Sequence, residues 1–326
     1  SPMQTATENF VPLVREHVGK IVVGQDAVVE RVLIALLTSG HLLLQGVPGL
    51  AKTLLVMTIA RAIDLRFNRI QCTVDMLPSD IVGSEVLDQK TLEYHIHQGP
   101  VFTNLLLADE INRASPKVQS ALLESMQEKR VTIGGRTMRL PTPFLVIATQ
   151  NPVEQAGTFE LPEAQLDRFM LLHRLDYPTP QEEEEVLRRQ LHMGLRKEDG
   201  GGAIMRTAFD MIEDTPQASV ASLVQCMEDV QKVHVSDVFV KHCVELVNKT
   251  REAELLDFGC SPRAGLSLIN ACRARAYIHQ RDFVTPEDMF ELAEDVMLHR
   301  MRLTYEAQAE GHTTAEVLEK ILADLS

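Results

Sequence analysis

The chain has 326 residues, 45% hydrophobic and 24% charged, a balance that supports a sizeable core and excludes a disordered, collagen-like or disulfide-dense fold. Its 46 acidic residues against 32 basic ones give a formal charge of −14, which argues against a protein whose main work is holding nucleic acid or an anionic membrane, while leaving room for a local basic patch. No apolar run approaches the ~18 residues of a membrane span and the opening stretch lacks the charged-then-apolar order of a signal peptide, so a cytoplasmic location is expected.

Up to about Pro178, short apolar runs alternate with longer helical patterns, which predicts a parallel sheet joined by crossover helices. The first candidate strand, His41 to Leu44, runs into Gly46-Val47-Pro48-Gly49-Leu50-Ala51-Lys52-Thr53 and then a helix-forming stretch, Leu54 to Ile63. That order of strand, loop and helix is a phosphate-binding loop. The glycines let backbone N–H groups turn toward phosphates, Lys52 reaches the outer ones, and the Thr53 hydroxyl can bind Mg²⁺. Ala51 stands where such loops usually carry glycine, a change that a first helical turn tolerates.

Arg69 to Val74 is the next candidate strand. Val86 to His97 breaks the rhythm, with Leu92, Tyr94 and Ile96 alternating against polar residues, and reads as an inserted hairpin. The strand Asn104 to Ala108 delivers Asp109 and Glu110, the first carboxylate to assist Mg²⁺ and the second to orient or polarise the attacking water. A second hairpin is expected over Val131 to Leu140, turning at Gly134-Gly135. Phe144 to Ala148 leads to Asn151 at the same carboxyl edge, where a neutral amide can hold the water or the outermost phosphate. Met170 to Leu175 completes five strands.

After Tyr177-Pro178-Thr179-Pro180 the pattern becomes helical, beginning with Glu182 to Glu185 in a first turn where acids suit the dipole. The expected division is 1–178 for the α/β nucleotide-binding domain and 179–326 for a smaller helical one. Glu198 to Gly202 reads as a loop between helices, and Leu268, Ile269 and Cys272 as core. The five cysteines are scattered, without a CxxC pair, so reduced thiols are expected and zinc or disulfides are not. His95 and His97 share one strand face without a Cys or carboxylate partner and read as solvated.

The ordered set Gly46–Thr53, Leu105–Arg113, Ala148–Pro152, Leu161–Phe169 and Ser261–Ala264 resembles the MoxR family of AAA+ ATPases over about Ile21 to Leu303. Ala51 is usual there. The resemblance implies an AAA+ α/β core with a five-stranded parallel sheet, an all-α lid, a hairpin inserted within the second helix (Val86–His97) and another before the third motif strand (Val131–Leu140). It also implies Mg²⁺-dependent ATP hydrolysis in a ring, usually hexameric.

By the same resemblance Lys52, Thr53, Asp109, Glu110 and Asn151 keep the roles given above, and the nucleotide-binding set runs from Gly46 to Leu54. Val22, Val23, Gly24 and Gln25 match the segment lining the adenine pocket. Arg168 matches the arginine finger inserted into a neighbouring subunit's site. Arg263 matches the lid arginine that senses the γ-phosphate, its subunit of action left open, and Arg113 is a further candidate for facing a neighbour. The implied work is chaperone-like remodelling, or maturation of client complexes by inserting cofactors, often metals, beside a partner with a von Willebrand factor A domain. Two rivals share the fold. A nucleic-acid motor or loader is opposed by the charge of −14, and a slow nucleotide-controlled switch by Glu110 and Asn151.

Overall fold

The computed structural model describes residues 10–46, 50–151 and 157–325. Helices α1 (Phe10–Ile21) and α2 (Asp26–Thr38) precede β1 (Leu42–Gln45), α3 (Leu50–Ala62) and β2 (Phe67–Gln71). The single turn α4 (Ser79–Val82) leads into the hairpin β3 (Gly83–Leu87) and β4 (Tyr94–Gln98). Then come β5 (Leu105–Asp109), α5 (Pro116–Glu128), the hairpin β6 (Arg130–Ile133) and β7 (Arg136–Arg139), β8 (Leu145–Gln150), α6 (Glu163–Leu166) and β9 (Leu171–Arg174).

Five of these strands form one parallel sheet in the order β2-β5-β8-β1-β9. Strand side chains alternate between its faces. Leu42, Leu44, Leu105 and Leu107 therefore join the apolar cluster of α1, α2 and α3, whereas Leu43, Leu106 and Ala108 join that of α5 and the second hairpin. β1 lies between β8 and β9, so the loop after it opens at the carboxyl edge where connections diverge, the usual ligand crevice of open α/β sheets.

Three local expectations shift. The second strand begins at Phe67 and ends at Gln71, because its ladder partner β5 ends at Asp109 and Glu110 turns left-handed (φ 54°). Leu92, 76% exposed with φ 58°, sits in the turn of the first hairpin, whose ladder starts at the Leu87–Tyr94 pair. That hairpin follows the four-residue α4 and passes to β5 without a further helix, so two helical halves do not bracket it. The second hairpin turns at Gly134-Gly135 as the sequence indicates, with φ of 56° and 76° that glycine adopts at little cost.

The rest is mainly helical: α7 (Pro180–Met193), the hairpin β10 (Leu195–Lys197) and β11 (Ala203–Met205), α8 (Val220–Val230), α9 (Asp237–Glu252), β12 (Leu256–Phe258), α10 (Pro262–Ile278), α11 (Pro286–Met297), β13 (Arg302–Leu303), α12 (Tyr305–Ala309) and α13 (Thr314–Asp324). α7 starts on a Thr179 cap whose hydroxyl accepts from the Glu182 N–H at 3.2 Å, with Pro180 in its first turn. Glu198 to Gly202 is the tip of the β10–β11 hairpin, not a helix-to-helix loop. The Glu198 N–H donates to the Gly202 carbonyl at 2.8 Å and Gly201 supplies a φ of 87°. Leu268 and Cys272 are fully buried and Ile269 packs against them from the cluster's rim.

α2 is buried continuously from Val28 to Leu37, as a helix clasped on every side must be. It packs against the sheet on one side and against α8 and α10 on the other, so one apolar cluster runs from β1 into the helices after α7. The charges it buries there are paired. Arg31 Nε donates to Asp295 Oδ2 at 2.6 Å, and Arg275 donates to Glu30 at 3.1 Å and Asp288 at 2.7 Å. All five cysteines are buried and none forms a disulfide, and no described helix is long and apolar enough to cross a membrane.

Candidate functional site

β1 ends at Gln45, and the Gly46 N–H donates to the Gln150 carbonyl at 3.1 Å, tying the loop's first residue to β8. A Cβ on Gly46 would stand 2.7 Å from the Leu175 Cβ, so the sheet edge itself requires glycine. Val47, Pro48, Gly49 and the side chain of Leu50 lie outside the described residues. Lys52 and Thr53 occupy the first turn of α3, 9% and 8% exposed. The Lys52 ammonium lies 3.5 Å from the Gly46 carbonyl. Burial pulls it below its ordinary range, opposed by the charges of Asp109 and Glu110. A desolvated cation at a helix N-terminus is built to receive an anion.

The two carboxylates sit across from it. Thr149, 4% exposed on β8, joins them: its hydroxyl accepts from the Glu110 N–H at 2.9 Å and donates to Asp109 Oδ1 at 3.2 Å. The left-handed backbone at Glu110 (φ 54°, ψ 55°) costs ~1–3 kcal/mol in a residue with a Cβ, and the Thr149 bond helps hold it there. Asp109 Oδ2 accepts from Arg69 Nε at 2.5 Å, and Glu110 Oε2 from Arg113 at 3.4 Å. Arg113 thus faces Glu110 of its own chain. Asn151 follows β8 on the same edge, its carbonyl accepting from Asn112 Nδ2 at 3.3 Å. Among the described residues no group of three or more His, Cys, Asp or Glu could hold a metal unaided, and His95 and His97 are exposed on β4. Thr53 and Asp109 offer the hard oxygen donors that suit Mg²⁺ shared with phosphate oxygens.

Val22, Val23 and Gln25 line a cavity of about 680 Å³ together with Ala51 and Leu54 of α3 and with α7. Gly24 takes φ 68°, and a Cβ there would overlap the Glu182 carboxylate of α7. The cavity thus adjoins the phosphate loop and has room for a purine base and its sugar.

Arg168 and Arg263 lie elsewhere. Both line a smaller cavity of about 220 Å³ with Ser39, His41, Lys129 and Met170. His41 precedes β1, and Met170 precedes β9 with its N–H on the His41 carbonyl at 3.0 Å, so this cavity is at the amino edge of the sheet. Arg263 pairs with Asp167 Oδ2 at 3.5 Å and its side chain is 60% exposed. Sequence reasoning missed Thr149, Arg69, Asp167 and Arg300. Only Thr149 left a sign, as a lone hydroxyl directly after the apolar run Leu145–Ala148 and two residues before Asn151.

A loop of this kind after an inner strand of a parallel sheet, facing a carboxylate pair, defines an ATPase of the phosphate-loop α/β class. Residues 41–171 match the family described as "ATPase family associated with various cellular activities (AAA)", and residues 248–321 match "AAA lid domain". Chaperone MoxR1 of Mycobacterium tuberculosis is 44% identical across 94% of this chain and 79% of its own. Uncharacterized protein YeaC of Bacillus subtilis is 41% identical across 94% and 92%. The crystal structure of a candidate ATPase from Cytophaga hutchinsonii superposes with a TM-score of 0.87 at 43% identity, covering 99% of this chain and 96% of that one. The chain belongs to the MoxR family of AAA+ ATPases.

Proposed function

We propose that the chain hydrolyses Mg·ATP within an oligomeric ring, hexameric as is usual for the fold, and uses turnover for chaperone-like remodelling of client proteins, cofactor or metal insertion included. The α/β part to about Pro178 holds nucleotide and the helices after it form the lid. A cytoplasmic site agrees with five buried cysteines that form no disulfide. The hairpin at Val86–His97 and the outer face of the one at Val131–Leu140, whose Val131, Ile133 and Leu140 are buried, are the surfaces offered to a client, and a von Willebrand factor A domain protein is the partner class that the family resemblance suggests.

Mg·ATP, when bound, supplies the phosphoanhydride that is cleaved. Lys52 would neutralise the outer phosphates, Thr53 and Asp109 would hold the Mg²⁺ through their oxygens, Glu110 would orient or polarise the attacking water, and Asn151 would hold that water or the outermost phosphate. Val22, Val23, Gln25 and Leu54 hold the base.

The observation that carries the ring is the separation of the two halves of the machinery. β1 is four residues long, ~13 Å at ~3.3 Å per residue, and it separates Gly46 at one edge from His41, Arg168 and Arg263 at the other. That separation supports a reading in which neither arginine serves its own chain's phosphate loop. Both are therefore assigned to the site of a neighbouring copy, where a finger arginine is worth ~10³-fold or more in rate. Arg168→Ala should leave the affinity for a fluorescent ATP analogue nearly intact and lower kcat by ~10² or more. Mixing Arg168→Ala with Lys52→Ala subunits should restore steady-state ATPase, since mixed rings contain interfaces with both parts intact. Absence of rescue in rings shown by sizing and tagging to be mixed would return Arg168 to its own subunit.

A further inference from the structure

Arg168 lies in Asp167–Met170, a connection between α6 and β9 that belongs to no helix or strand. Such a segment needs outside bonds to hold a long side chain in one direction. They come from the turn Leu298–Arg300, more than a hundred residues later in the helical part. Arg300 Nη2 donates to the carbonyls of Asp167 at 3.3 Å and Phe169 at 3.2 Å, and Nη1 donates to the Met170 carbonyl at 3.3 Å. Its Nε donates to Asp167 Oδ1 at 2.7 Å, and the side chain is 3% exposed. His299 Nε2 adds a bond to the Phe169 carbonyl at 2.8 Å. The second oxygen of Asp167 meets Arg263 at 3.5 Å. Arg168 itself has no side-chain hydrogen bond or ion pair among the described residues.

One buried guanidinium therefore binds three carbonyls and a carboxylate around Arg168, while that carboxylate also bridges to Arg263. Only a planar fork with five N–H donors serves this many acceptors from one point. Arg300 is fixed to α11 through its bond to the Val296 carbonyl at 2.6 Å, so the helical part sets the frame of the segment.

We propose that Arg300 and Asp167 are a positioning pair for Arg168, through which the placement of the helical part controls how the finger is presented to the neighbouring subunit. The inference rests on the reading of Arg168 as a finger acting in trans. A misplacement of ~1 Å at such a group can cost ~10²-fold in rate without touching ground-state binding.

The test compares Asp167→Asn and Arg300→Lys, each alone and combined with Arg168→Ala, in assembled protein. Asp167→Asn keeps the shape of a side chain already 30% exposed, so it serves even where Arg300→Lys does not fold. Expected is a fall in kcat of ~10-fold or more for each single variant with nucleotide affinity within ~3-fold, and no further fall once Arg168 is alanine, because residues acting as a unit are not additive. The same fractional loss in both backgrounds, or no loss beside intact Arg168, overturns the positioning role and leaves the finger standing. A wild-type kcat for Arg168→Ala alone overturns the finger, and the pair's role with it.

Discussion

Thr149 uses one hydroxyl to accept from the Glu110 N–H and to donate to Asp109, the two residues proposed to act on the metal and the attacking water. Thr149→Val keeps the volume and removes the bonds, freeing Glu110 to leave its left-handed backbone. Its kcat should fall by ~10-fold or more, equivalent to ~1.4 kcal/mol, with KM little changed, whereas Thr149→Ser should keep most activity. Loss of activity in Thr149→Ser with Thr149→Val left active would show that the methyl group, not the hydroxyl, matters. Lys52 and Glu110 should separate in the same way. Lys52→Ala removes a charge that meets phosphate in the ground state and should abolish binding of a fluorescent ATP analogue. Glu110→Gln should bind it and fail to turn it over. A parallel loss of binding in both would contradict the division of labour.

Among the elements, the second hairpin depends on two glycines held at positive φ. Gly135 has open space around it, so Gly135→Ala isolates the backbone term, ~1 kcal/mol, whereas a Cβ at Gly134 would also run into the Glu85 carboxylate of the first hairpin. That contact joins the two hairpins into one surface. Shortening Gly134-Gly135-Arg136 should therefore lower client stimulation while basal ATPase persists, because the tip is remote in sequence and bonding from Lys52 and Glu110. Collapse of basal hydrolysis in the same titration would place the tip in the active site.

At the scale of the molecule, the sheet is capped at its amino edge by buried neutral imidazole. His41 Nδ1 accepts from the Val146 N–H at 3.0 Å and Nε2 meets the Met126 carbonyl at 3.2 Å, and burial pushes its pKa down from 6.5 to about 4. Because the folded value is depressed, the unfolded chain binds the extra proton. The His41 contribution is complete above 6.5 and is lost as the pH falls from there toward about 4, at up to ~1.4 kcal/mol per pH unit. Urea unfolding across that window should show a shallower pH dependence for His41→Gln, by about one proton. An unchanged slope would mean that His41 is already charged in the fold.

Much of the protein was legible before any coordinate. Gly46 to Thr53, Asp109-Glu110 and Asn151 announce themselves because a phosphate loop and its carboxylates need fixed residue types at the ends of apolar strands, and strand ends are written in hydrophobic period. The same holds for the Gly134-Gly135 turn and for the helix start after Thr179-Pro180 with its acidic first turn, whose causes lie within a few residues of each other. Strand limits were less legible. Val74 looks like strand in isolation, but a ladder stops where its partner β5 stops. The β10–β11 hairpin has three-residue strands, too short to leave a period beside the glycines of its own tip. Relations between distant residues come from packing alone: that Thr149 bonds both the Asp109 carboxylate and the Glu110 backbone, that α2 is shared between sheet and helices, that Arg168 and Arg263 stand at the edge opposite Lys52, and that Arg300 holds the segment carrying Arg168. Each of these depends on where separate elements pack, and no local pattern encodes the partner of a side chain more than a hundred positions away.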